Sequence, residues 1–341
     1  MPGYTPGEQP QGGKFIKLNT NENPYPASAQ VAPAILAALE QGLSRYPDPV
    51  ASAFRTRAAE VFNLDPDWIL CGNGSDDILT VVTRAIVGSG ETILVPYPSY
   101  LLYQTLADIQ GASIEWVRFT DDWQLPDDFL ERASRAKAVY LPNPNSPTGT
   151  VVSPDDLSTI ADSLPCPLLI DEAYAEFAKV DCLELVRHHE NVMVARTLSK
   201  SYALAGLRFG YLIAQPHLIA ELVKVKDSYN CDALSIAGAT AAIDDQQWFA
   251  QTRQKIIQTR ERLHLQLEQL GFSVIPSQAN FLWCSHPGQS ATTIFKELKR
   301  NRILVRYMKY PDWSEGLRIS IGTDEQNDAM VAVLKTIVST K

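Results

Sequence analysis

Between residues 68 and 214 the chain alternates short, wholly apolar runs with stretches of helical periodicity, and this alternation restricts the fold more than any other feature. "WIL" leads into "GSDDILTVVTRAIV", and "TILVP" into "SYLLYQTLADIQG". "AVYLP" leads into "SPDDLSTIADSL", where Ser153 is a good N-cap and Pro154 suits the first helical position; "LLI", "VMVA" and "FGYLIA" complete the series. Apolar runs separated by single helices predict a mostly parallel sheet buried on both faces by helices, an α/β fold. In open sheets of this kind ligands bind beyond the carboxyl ends of the strands. The polar residues of interest fall there: 72–75, 143–149, 171–174 and 199–200.

Past Pro216 the pattern changes. A helical region over about 217–270, interrupted near 229–230, precedes "FSVIP", "NFLWC", a helix near 292–300, "ILVRY", "LRISIG" and a last helix from about Asp324. This predicts a smaller α/β unit of antiparallel strands, with the Pro-rich N-terminal segment packed on it. The expected partition is an N-terminal arm over 1–45, a large ligand-binding domain over 46–230 and a small domain over 231–341.

The 341 residues carry thirty basic and thirty-nine acidic side chains, a net charge of −9 that does not suggest a nucleic-acid partner. No stretch approaches the ~20 apolar residues of a membrane span, so no membrane partner is expected. The Gly/Pro-rich start lacks the apolar core of a signal peptide. Cys71, Cys166, Cys182, Cys231 and Cys284 lie far apart with no CxxC or Cys/His cluster. That argues against disulfides or structural zinc and fits a reducing, cytoplasmic setting.

Four segments carry chemistry. In "CGNGSDD" glycines end a strand, and Gly74, Ser75 and Asp76 open a helix, an arrangement suited to an anion or to a plain capped turn. Neither a Walker pattern nor GxGxxG is present. In "LLIDEAYAEF", Asp171 follows a buried strand, where a carboxylate needs a partner. It could hold a protonated ring nitrogen, bind a metal or cap a helix, and no His or acidic cluster near it favours a metal. Tyr174 adds a phenol, while "LPNPNSPTGT" reads as a rigid turn. In "TLSKSYALAGLRFGY", Lys200 lies among Leu198, Tyr202, Ala203 and Leu204; partial desolvation would lower its pKa and suit it to Schiff-base chemistry. Arg208 suits a phosphate, with Ser199 a further donor. Together they describe one ligand: an aldehyde for Lys200, a pyridinium for Asp171, a phenolic oxygen for Tyr174, and a phosphate for Ser75, Ser199 and Arg208. Pyridoxal 5′-phosphate has these groups.

"PNSPTGT", "DEAYAEF" and "RTLSKSYALAGLRFGY" resemble the fold-type I pyridoxal-phosphate aminotransferases, and more narrowly the histidinol-phosphate aminotransferases. "YTPG", "KLNTNENPYP", "RYPD", "LVRY" and "LRISIGT" extend the likeness over nearly the whole chain. The resemblance implies Lys200 as the Schiff-base lysine, Asp171 on the pyridine nitrogen, Tyr174 on the ring hydroxyl and Tyr100 stacked on the ring. It gathers Gly74, Ser75, Asp76, Ser199 and Arg208 at the cofactor phosphate, and brings Tyr46 to the phosphate of a neighbouring subunit, hence a homodimer with shared sites. Tyr4, Asn21, Tyr229, Arg306 and Arg318 match substrate-binding positions. The family carries Asn directly before the Pro of PTG. Here Ser146 stands in that place with Asn145 one step earlier, and either side chain could meet the ring hydroxyl.

The implied activity is ping-pong transfer of an amino group from histidinol phosphate to 2-oxoglutarate, with glutamate as the other partner, in histidine biosynthesis. Histidinol phosphate has no α-carboxylate, so its phosphate takes the arginine site, and Arg306 with Arg318 suits a dianion. Aminotransferases of aromatic amino acids and decarboxylases of threonine phosphate share the cofactor residues and are the rival readings. A ligand-sensing domain attached to a DNA-binding module is not expected, because the motifs begin at Tyr4.

Overall fold

The computed structural model describes residues 7–10 and 12–339. Among the described residues twelve strands form two sheets. In chain order they are β1 (Ile16–Leu18), β2 (Ile69–Gly72), β3 (Thr92–Tyr97), β4 (Ser113–Arg118), β5 (Ala138–Pro142), β6 (Leu168–Asp171), β7 (Val192–Thr197), β8 (Gly210–Ala214), β9 (Ser273–Ile275), β10 (Phe281–Ser285), β11 (Ile303–Lys309) and β12 (Glu315–Ser320).

The large sheet has the order β2-β8-β7-β6-β5-β3-β4. Every neighbouring pair is parallel except the two made by β8, which runs against both β2 and β7. The expected mostly parallel sheet is therefore present, and its apolar runs have the expected cause. Leu168 and Ile170 point into one core while Leu169, between them, points into another on the opposite face. Ser153 caps the helix Pro154–Ser163 by accepting the Asp156 N–H at 3.1 Å. Only a single 3₁₀ turn, Ala205–Leu207, separates β7 from β8, so this connection reverses direction instead of crossing over. The reversal brings Arg208, at the start of β8, to the edge where β2, β5, β6 and β7 end.

The second sheet, β1-β11-β12-β10-β9, is antiparallel except where β1 joins β11 in parallel. Its core includes Leu18, Leu282, Val305, Leu317, Ile319 and Met330, and it also takes Phe177 from the segment after β6. The N-terminal segment divides. β1 joins the small sheet, whereas the helix Val31–Glu40 and the helix Ala233–Asp244 bury Val31, Ile236, Ala239 and Ile243 in a large-sheet core. The long helical region breaks twice, between 223 and 233 and again at Asp245, whose carboxylate accepts the Trp248 N–H and starts the helix Gln246–Gln269.

The tip of the β11–β12 hairpin is clasped to the large sheet. Tyr97 Oη donates to Pro311 O at 2.5 Å, Arg118 Nη1 to Asp312 O at 2.9 Å, and Tyr310 Oη to Ser99 O at 3.3 Å. Around these bonds pack Tyr97, Trp116, Trp123, Trp283, Tyr310 and Trp313. All five cysteines are free and buried. Among the described residues no helix is long and apolar enough to cross a membrane.

Candidate active site

A cavity of about 230 Å³ opens where the large sheet's strand ends face the small sheet. Ser75, Asp76, Tyr100, Ser146, Asp171, Tyr174, Ser199, Lys200, Arg208, Arg306 and Arg318 all line it, so the structure gathers eleven expected residues from stretches far apart in the sequence. A second cavity of about 690 Å³ lies beneath the clasped hairpin and shares Tyr100, Ser146, Arg306 and Arg318 with the first.

Asp171 ends β6 and is buried. Its Oδ2 accepts from Tyr103 Oη at 2.7 Å and its Oδ1 from the Ala173 N–H at 3.1 Å. Burial pushes its pKa up to about 6 against these two bonds; Asp76 pushes it the same way and Lys200 opposes. Tyr174 Oη accepts from Asn21 Nδ2 at 3.0 Å, and its ring meets Phe281 edge-on. Burial raises its pKa as well.

Lys200 follows β7, and its amine donates to the Thr20 carbonyl at 3.1 Å. Its pKa falls to about 8, first through burial and then through the nearby Arg318 guanidinium, with Glu22 and Asp76 opposing. A substantial fraction of this amine is therefore neutral at mildly alkaline pH, the form that attacks carbonyl carbon and accepts protons.

The anion end is built on glycines. Gly74, with φ 85°, precedes the helix Ser75–Ile86, and a Cβ added to it would lie 2.5 Å from Arg208 Nη2. A Cβ on Gly210 would lie 2.5 Å from both the Gly74 carbonyl carbon and Ser75 N, so only glycine lets β8 start against this turn. Arg208 Nη1 donates to Ser199 Oγ at 3.2 Å, and Nη2 lies 3.9 Å from Asp76 Oδ2. Two hydroxyls, a guanidinium and a helix N-terminus converge there.

Arg306 and Arg318 are cross-strand partners on β11 and β12. Arg318 Nη1 donates to Ser146 Oγ at 3.1 Å and Nη2 to Asn19 O at 3.3 Å, while Nε is buried without a partner.

Several expected residues lie elsewhere. Asn145 is buried outside the cavity, its amide donating to Pro98 O at 3.1 Å and Thr148 Oγ1 at 2.9 Å; Ser146, not Asn145, faces the cavity. Asn21 is also buried outside the lining and reaches the site through Tyr174. Tyr46 is 79% exposed and stacks on Tyr229 at 4.4 Å, and neither ring borders the chain's own cavity. Tyr4 lies outside the described residues.

Sequence reasoning missed Thr20, whose contribution is a backbone carbonyl and carries no side-chain signal. It missed Glu22, a cavity-lining acid paired with Lys17 at 2.5 Å. It also missed Tyr103, which reads as an ordinary core aromatic and carries no signal in the sequence.

Residues 13–334 match the family model for aminotransferase class I and II. The chain belongs to this aminotransferase family. It is 57% identical over 336 residues to a histidinol-phosphate aminotransferase of Rhodopirellula baltica, covering 98% of this chain and 93% of that protein. It is 43% identical over 338 residues to one of Geotalea daltonii, covering 99% and 97%. The fold of this aminotransferase matches the crystal structure of histidinol-phosphate aminotransferase from Sinorhizobium meliloti in complex with pyridoxal-5′-phosphate, with TM-score 0.89 and 26% identity over 96% of this chain and 92% of that one.

Proposed function

We propose that this aminotransferase uses pyridoxal 5′-phosphate to move the amino group of histidinol phosphate to 2-oxoglutarate. The observation that carries the reading is one cavity holding an amine of lowered pKa, a buried carboxylate and two cross-strand arginines. The residues fit the cofactor: Gly74 and Gly210 let Arg208 and the start of β8 close against the turn before Ser75, which sets Ser75, Ser199 and Arg208 together at a helix N-terminus suited to a phosphate. The names of the full-length relatives support the same substrate.

When bound, the cofactor supplies an aldehyde carbon that amines attack and a protonated ring that draws electrons. Lys200 Nζ, near neutrality in charge at pH 8, takes and returns the substrate's proton, and the Thr20 carbonyl steadies the amine meanwhile. Asp171, ionised above about pH 6, holds the ring-nitrogen proton. Tyr174, oriented by Asn21, donates toward the ring hydroxyl, and Ser146 in place of the family's Asn offers a shorter hydroxyl on that side. Asp76 takes part through the Arg208 guanidinium and the Tyr100 hydroxyl, whose oxygen lies 3.4 Å from Asp76 Oδ1. Arg306 and Arg318 bind the phosphate of one substrate and the distal carboxylate of the other; the unpartnered Arg318 Nε supports an anion there.

The enzyme works as a homodimer in the cytoplasm. Leu36, Leu39 and Leu43 are exposed in the segment leading to the Tyr46–Tyr229 stack, which supports a partner subunit covering this surface and receiving Tyr46. Five free cysteines support a reducing compartment. The test is a pair of donor assays with 2-oxoglutarate as acceptor, one with histidinol phosphate and one with aromatic amino acids. Histidinol phosphate is the expected donor; turnover of aromatic donors alone would overturn the assignment.

A further inference from the structure

Asp171 is not held by the cavity itself but from behind it. Tyr103 sits on the helix Leu102–Gln110, one turn beyond Tyr100, with its ring fully buried and its hydroxyl 2.7 Å from Asp171 Oδ2. Its ring meets those of Tyr100 and Tyr140 edge-on, at 5.7 and 5.8 Å. Tyr140 is equally buried, yet its hydroxyl is 2.8 Å from Thr83 Oγ1 and has no part in the Asp171 contact. Two touching phenols of one buried layer thus differ in their hydroxyl partners: one is bonded to the site's carboxylate and the other to a threonine.

We propose that Tyr103 is a positioning residue for Asp171, fixing its carboxylate at the floor of the cavity and keeping it ionised. This rests on the reading of Asp171 as the partner of the cofactor's ring nitrogen. A phenol is a donor at neutral pH, and burial raises the pKa of Tyr103 further, so its proton stays on its own oxygen and points at Asp171. A donated bond stabilises the carboxylate and not the carboxylic acid. The charged groups acting on Asp171 pull in opposite directions. Asp76, from the helix Ser75–Ile86, favours the protonated form, whereas Lys200, from the turn after β7, favours the charged one. Tyr174 and Tyr100 face the same pair as uncharged phenols. The Ala173 N–H holds the other oxygen but comes from Asp171's own chain segment, so it cannot fix the group against the rest of the sheet. Among the described residues Tyr103 alone hydrogen-bonds the carboxylate from a different element.

The experiment compares wild type, Tyr103→Phe, Tyr140→Phe and Asp171→Asn. Each holoenzyme is resolved and titrated back with pyridoxal 5′-phosphate from pH 5.5 to 8, and kcat/KM is followed over the same range. Loss of a hydrogen bond to a charged group should move the acid limb of Tyr103→Phe up by about one pH unit and weaken cofactor binding about tenfold at pH 6, with a smaller loss at pH 8. Tyr140→Phe should match wild type in both readouts. If Tyr140→Phe reproduced the shift, the effect would be loosening of the aromatic layer and the inference would be wrong. An unshifted acid limb and unchanged cofactor affinity in Tyr103→Phe, with Asp171→Asn defective, would overturn the role of Tyr103 and leave that of Asp171 standing. Wild-type behaviour in Asp171→Asn would overturn both.

Discussion

Lys200, the proposed Schiff-base lysine, should weaken the protein that holds it. Burial and the Arg318 guanidinium lower the Lys200 pKa from 10.5 to about 8, which means the folded state resists the amine's charge. At 1.36 kcal/mol per pH unit the full shift corresponds to ~3 kcal/mol, and about 2 kcal/mol after allowing for the side chain's partial access to water. The amine gains one hydrogen bond to Thr20 O, worth ~1 kcal/mol. Lys200→Met keeps the stem and removes the charge, so the cofactor-free variant should be more stable than wild type by ~1 kcal/mol at pH 7. Between pH 8 and 10.5 the unfolded chain binds more protons at this position than the folded one, so wild-type stability rises with pH and the advantage disappears. Above pH 10.5 only the lost hydrogen bond remains, and the variant should be slightly the weaker. Urea unfolding of both cofactor-free proteins at pH 7, 9 and 10.5, at fixed protein concentration, measures this. A stability difference that does not change with pH would refute the reasoning.

Two further tests probe the walls of the site. Tyr97→Phe removes one clasp bond, worth ~1 kcal/mol, from the hairpin that carries Arg306 and Arg318; KM for the phosphate-bearing donor should rise about fivefold, while cofactor titration stays unchanged. Gly210→Ala would drive a Cβ against the Gly74 and Ser75 backbone, costing about 1–3 kcal/mol in thermal unfolding and weakening cofactor binding. Gly206→Ala, where the new Cβ meets nothing within 4 Å, should do neither.

The parts of this architecture that were legible in the sequence are those carried by local pattern. Doubly buried strands must be apolar at every position, so β3, β5, β6 and β7 announce themselves, and the polar residues after them mark one edge. What could not be read is what depends on the meeting of distant segments. The reversed direction of β8 follows from a connection too short for a crossover, yet "SYALAGLR" has the apolar content of a short helix. The choice between Asn145 and Ser146 turns on where Pro98 and Thr148 lie, since these claim the Asn145 amide. Tyr103 and Tyr140 are indistinguishable as sequence, both large and apolar in context, and only the fold gives one of them a carboxylate. The division of the N-terminal segment between two cores was hidden for the same reason: an exposed face and a face awaiting a partner look alike in one chain.

The two sheets also divide the labour of recognition. Lys200 and Asp171 are fixed to the large sheet, whereas Arg306 and Arg318 stand on the small one, so the span from amine to guanidinium is a distance between two sheets. The hairpin clasp, which lines the neighbouring cavity and not the one that holds Lys200, sets that distance as the stop on a caliper sets its jaws. Changes at Tyr97, Arg118 or residues 310–313 would therefore alter which length of donor fits without touching any group that performs the transfer. Specificity in this chain can drift at the clasp while the chemistry stays still.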